Sequence, residues 1–77
     1  MNKLLEQYFK ETDADKAGAL GFQIMEAMKQ DPETWKPEIA QAIERAKREY
    51  EQPQPVERAA IRYGELIVIE SALNGGK

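Results

Sequence analysis

The sequence predicts an all-α fold: one domain over residues 1–77, three to four helices packed as a small antiparallel helical bundle, with the C-terminal helix the most buried. Three observations carry that reading. Apolar residues recur at spacings of three and four through four separate segments, the period of a helix with one buried side. Between segments stand Asp31-Pro32 and Pro53-Gln54-Pro55, and each proline disfavours helical geometry at the residue before it. Finally, 77 residues without cysteine or histidine can form neither a disulfide nor the usual zinc staple. Chains of this size then rely on regular helix packing, on self-association or on both, so a homodimer is expected.

The first helix is expected over about 2–10, where Leu4, Leu5, Tyr8 and Phe9 share a side. Thr12 or Asp13 then opens a second helix, about 13–30, and Asp13 and Asp15 put negative charge where the unpaired N–H groups and the helix dipole favour it. Its buried stripe reads Ala17, Leu20, Gly21, Ile24, Ala27 and Met28. Phe22 points nearly away from Ala17 and Ile24, so it either covers the first helix or the adjoining loop, or meets a partner.

Asp31 and Pro32 end that helix. Trp35 is placed in a short helical turn, and Pro37 in the first turn of a third helix, about 37–51, because its fixed φ suits that position. Ile39, Ala42, Ile43, Ala46 and Tyr50 form its narrow stripe. The second and third helices, joined by a short segment, are expected to pack as an antiparallel hairpin.

A last helix over about 55–73 opens at Pro55, with Asn74 and Gly75 as a left-handed C-terminal cap. Val56, Ala60, Tyr63 and Ile67 give it helical spacing, and Ala60, Gly64 and Ser71 form a row of small residues that lets another helix approach. Leu66, Ile67, Val68 and Ile69 are consecutive, so apolar groups point all round it. Either the other helices or a second copy covers the extra faces; a short strand is the remaining reading of that run.

Composition excludes most chemistry. With no imidazole, no thiolate and a single serine, Ser71, the common nucleophile and general-base arrangements are missing, and the chain reads as non-catalytic with no cofactor. Asp13, Asp15 and Gly18 match the first, third and sixth positions of a calcium loop of the EF-hand kind, but Ile24 stands where the bidentate glutamate belongs. Glu70 falls near the expected core, yet the Glu-x-x-His motifs of a carboxylate-bundle metal site are absent. No metal site is expected.

No stretch approaches the length of a spanning helix, and Met1 to Lys10 lacks a long apolar core and a small-residue cleavage site. The chain reads as soluble and cytoplasmic, with no membrane partner. What remains is binding. The expected function is a small protein–protein interaction module, self-associating, of the accessory or regulatory type found in bacteria and phages. Its partner-binding candidates are Phe22, Trp35, Leu66, Val68 and Ile69, because large aromatic and aliphatic anchors dominate many interfaces.

The alternative is a nucleic-acid-binding helical regulator that uses Arg45, Lys47, Arg48, Arg58 and Arg62, which a hairpin of the last two helices would gather. Interleaved glutamates, including Glu65 three residues after Arg62, and a net charge of −3 make it the weaker reading.

Overall fold

Residues 2–54 and 58–74 are described by a computed structural model of the chain. Four helices follow one another: α1 (Lys3–Lys10), α2 (Ala14–Gln30), α3 (Pro32–Tyr50) and α4 (Ala59–Asn74). They make the small helical bundle the sequence predicts, and Leu66 to Ile69 are helix rather than strand.

The starts of α1, α2 and α3 each have a local chemical cause. The Asn2 side chain accepts from Leu5 N at 2.9 Å and Asp13 accepts from Lys16 N at 3.1 Å, which satisfies one otherwise unpaired donor in each first turn. Between α2 and α3 a single residue does two jobs. The Asp31 N–H donates to the Ala27 carbonyl at 3.2 Å and closes α2, while its carboxylate accepts from Thr34 N at 3.4 Å and opens α3.

That arrangement corrects the expected third helix, which begins at Pro32 rather than Pro37. Pro32 takes the first helical position behind a capping aspartate, where its missing N–H is no loss. Trp35 is therefore part of α3 and not of a separate turn, and Pro37 lies inside the helix, where it cannot donate to the Glu33 carbonyl.

The start of α4 is also later than expected. Arg58 has φ 64°, a left-handed backbone that ends any helix entering from before it, and the first α4 bond runs from Arg62 N to Arg58 O at 2.8 Å. Asn74 is helical rather than a left-handed cap. Pro55, Val56 and Gly75, invoked for the two ends of this helix, lie outside the described residues.

The core draws Leu5, Tyr8 and Phe9 from α1 and Ala17, Ile24 and Met28 from α2. From α3 come Trp35, Ile39, Ala42 and Ala46, and from α4 Leu66 and Ile69. The most extensive pairing joins α3 to α4, ahead of that between α2 and α3. Small residues explain it: Ala42 and Ala46 on α3 and Ala59 on α4, all essentially inaccessible, let two backbones approach. A radius of gyration of 11.8 Å matches the roughly 11.5 Å expected of a compact chain of this length, so apolar groups left at the surface are not the result of loose packing.

Candidate interaction surface

The buried side of α4 is the row Ala59, Arg62, Leu66 and Ile69, spaced by three and four. At 100° per residue, the opposite side carries Ala60, Ile61, Gly64, Ile67, Val68, Ser71 and Ala72. All seven are exposed, and they span a sector of about 140°. No charge falls within it. Ile61 is 56% exposed, Ile67 41% and Val68 64%, values far above those of the core. The outward side of α3, by contrast, holds Lys36, Gln41, Glu44, Lys47 and Arg48, the solvated pattern normal for a bundle surface.

The apolar sector continues sideways. Tyr63, one turn before Ile67, stacks on Tyr50 of α3 with ring centroids 5.9 Å apart and planes at 23°, and Tyr50 is itself 47% exposed. Gly64 sits in the middle of the sector, and a Cβ built on it would meet nothing within 4 Å.

The candidate partner residues therefore separate. Val68 and Phe22 face solvent, and Phe22, at 69%, covers neither the first helix nor a loop. Leu66, Ile69 and Trp35 do not: they are core residues of this chain, because the buried stripe of α4 runs through 62, 66 and 69 and Trp35 lies on the inner side of α3. Phe22 stands on the α2 side that holds Asp15 and Glu26, a single aromatic among charges, which is ordinary for a protein surface. Ile61 and Ile67, which are not among the five partner candidates read from the sequence, complete the α4 surface.

The five candidate cations separate too. Lys47 and Arg48 are exposed. Arg62 is buried, 2% exposed, and its Nη1 donates to Glu49 Oε1 at 3.0 Å, so it pairs across to α3 rather than with Glu65 on its own helix. Arg45 reaches the same carboxylate at 3.3 Å through its Nε, and Glu6 at 3.9 Å through Nη1. The two guanidinium carbons lie 4.3 Å (Arg45) and 5.1 Å (Arg62) from the Phe9 ring centroid, within cation–π range. Arg58 is half-buried. Arg45 and Arg62 thus hold helices together instead of forming an open basic patch.

Glu65 has another partner. Tyr8 donates its phenolic proton to Glu65 Oε1 at 2.5 Å, joining α1 to α4. Burial of the phenol, then the hydrogen bond and the negative charge of Glu65, push the Tyr8 pKa far above the ordinary tyrosine value. Glu70 is half-buried and near the end of its helix.

A groove of about 600 Å³ lies where the end of α2, the start of α3 and the end of α4 meet. Met25, Met28, Pro32 and Leu73 give it an apolar lining, and among the described residues its charged lining is Lys29 and Lys36. Among the described residues no cluster of three or more carboxylates is placed to hold a metal ion, and no helix is long and apolar enough to cross a membrane.

Comparison with protein-family models, with curated proteins and with solved structures finds no match.

Proposed function

We propose that this chain is a small, non-catalytic helical protein–protein interaction module of the cytoplasm, accessory or regulatory in role, and that it binds through the outward side of α4. The observation that carries the reading is the uncharged sector from Ala60 to Ala72, with Ile61, Ile67 and Val68 as its large side chains. Soluble monomers scatter single apolar side chains over their surface, and a contiguous apolar patch flanked by polar residues is the usual mark of a docking site. A helix face of this kind recognises another helix by ridge-and-groove packing rather than by charge.

The nucleic-acid reading loses support from the same geometry. Of its five cations, Arg62 is inaccessible and Arg45 is held by two carboxylates, against a net charge of −3.

The test is capture from the native host with the wild-type chain and with Val68→Glu as baits, and Lys47→Glu on α3 as a charge-altered control. Retained proteins that disappear with Val68→Glu and persist with the control support the reading. An identical set from all three baits sinks it.

A further inference from the structure

We infer that the partner is a second copy of this chain, laid antiparallel along α4 about a twofold axis at the level of Leu66. This rests on the preceding assignment of the α4 surface as the binding site, and it follows from the order of large and small residues on that surface.

Along the outward side, Ile61, Gly64, Val68 and Ser71 alternate between bulk and space, and all are exposed. The two large residues are seven apart, as are the two small ones, and at 1.5 Å per residue each interval is about 10.5 Å. Gly64 and Val68 have their midpoint at position 66. So do Ile61 and Ser71, and so do Ala60 and Ala72. One antiparallel twofold axis therefore sets Val68 against the second copy's Gly64 and Ile61 level with the second copy's Ser71. A parallel pairing would set Val68 on Val68 and leave empty space at Gly64. Along these four positions bulk meets space in the antiparallel direction, as an isologous contact requires.

Gly64 supports the same partner. In a helix interior glycine costs about 1 kcal/mol relative to alanine, and here nothing within 4 Å of a Cβ requires its smallness inside the chain. A close approach from outside does require it. Gly18 and Gly21 of α2 are equally open, but Asp15 and Glu26 stand on the side of Gly18, and Gly21 is itself half-buried, whereas Gly64 is exposed in an uncharged sector.

Charge permits the contact as well. A twofold interface brings like surfaces together, so any charge near its axis would oppose itself; the α4 sector has none, and Glu65, one position from the axis at the sector's margin, is half-buried and accepts the Tyr8 hydrogen bond within the bundle.

The available area sets the strength. Sixteen residues make a helix about 24 Å long and about 10 Å wide, a few hundred Å² per copy, against roughly 800 Å² per partner for a stable complex. Tyr50 and Tyr63 add to one edge. The dimer is accordingly reversible and micromolar rather than permanent.

The experiment is sedimentation equilibrium of the full chain from micromolar to millimolar, with Gly64→Leu alongside and circular dichroism to show that both chains are helical. Leucine at 64 projects into open space and is a better helix former, so the fold survives while the hole is filled. The wild-type mass rises toward that of a dimer, and Gly64→Leu weakens association by roughly tenfold or more. Because the chain has no cysteine, Ile61→Cys and Ser71→Cys chains can be mixed and oxidised: the mixed disulfide predominates if the copies are antiparallel, and the two symmetric ones if they are parallel.

A monomer throughout the range, unaltered association of Gly64→Leu, or dominance of the symmetric disulfides each overturns the antiparallel second copy. If the chain is monomeric but Val68→Glu still loses a captured host protein, only the identity of the partner falls; if neither effect is found, the α4 binding surface falls with it.

Discussion

Arg62 of α4 donates from Nη1 to Glu49 of α3 at 3.0 Å, with its side chain 2% exposed and its guanidinium beside Phe9 of α1. Three helices therefore meet at one cation. Its Nε has no partner among the described residues, so Glu49 is the acceptor on which the buried charge depends. Replacing the carboxylate should hurt more than replacing the cation. Glu49→Ala strands the guanidinium and is expected to cost about 3–5 kcal/mol, whereas Arg62→Met removes the charge, keeps an apolar stem of similar length and should cost under about 2 kcal/mol. Urea denaturation of the two variants checks the order, and equal costs would show that the pair does not govern stability.

Tyr8 makes stability fall at alkaline pH. Its folded pKa is raised, first by burial and then by Glu65, so the folded state holds this proton more tightly than the unfolded chain. The contribution is complete below the unfolded value of about 10 and is lost as pH climbs above it, by at most about 1.4 kcal/mol per pH unit. Tyr8→Phe should be less stable by about 1–3 kcal/mol at neutral pH, because Glu65 loses its donor, and should lose this tyrosine's part of the slope above pH 10. Denaturant midpoints from pH 8 to 11.5 measure both; an unchanged slope in Tyr8→Phe would assign the alkaline loss elsewhere.

The two candidate aromatics should behave oppositely. Trp35 is 9% exposed and packed in the core, so Trp35→Ala is expected to lose about 3–5 kcal/mol. Phe22 is 69% exposed, and Phe22→Ala should stay within about 0.5 kcal/mol of wild type. Thermal melts decide this, and a strongly destabilised Phe22→Ala would mean that its ring packs on the chain after all.

Pro37 offers a stabilising change. Alanine there restores a donor to the Glu33 carbonyl and improves helix propensity, against a smaller loss from the freer unfolded chain. Pro37→Ala should raise stability by about 1–2 kcal/mol. A lower melting temperature would indicate that the proline's shape matters to packing around Trp35 or Ile39.

Some of this was legible in the sequence and some was not, for identifiable reasons. Capping is local chemistry, so the start of α2 at Asp13 and the ends near Lys10 and Gln30 follow from the residues there. The start of α3 was ambiguous because two prolines suit a first turn, and Asp31 decides for the earlier one. In α4 the period was clear but the rotation was not. A helix with apolar residues on every side admits two stripes, one through Ala60, Tyr63 and Ile67 and one through Ala59, Leu66 and Ile69. The second is buried, although it includes an arginine. That shift of one residue moves Leu66 and Ile69 into the core and turns Ile61 and Ile67 outward. The pairings of Arg62 with Glu49 and Tyr8 with Glu65 cross between helices, and spacing along the chain carries no trace of them.

The hydrogen bonds that fasten α1 reach far along the chain: Asn2 to Glu38 spans 36 positions and Tyr8 to Glu65 spans 57. Long loops must close before such contacts form, whereas α3 and α4 meet across a short connection. The order of events follows from that difference. The α3–α4 hairpin is expected to assemble early, and α1, which packs locally on α2 but is fastened to α3 and α4 by these two long-range bonds, to join late and to be the first part to let go. Its amide protons should exchange with solvent sooner than those of α3, and changes at Tyr8 should quicken unfolding while leaving the folding rate nearly untouched.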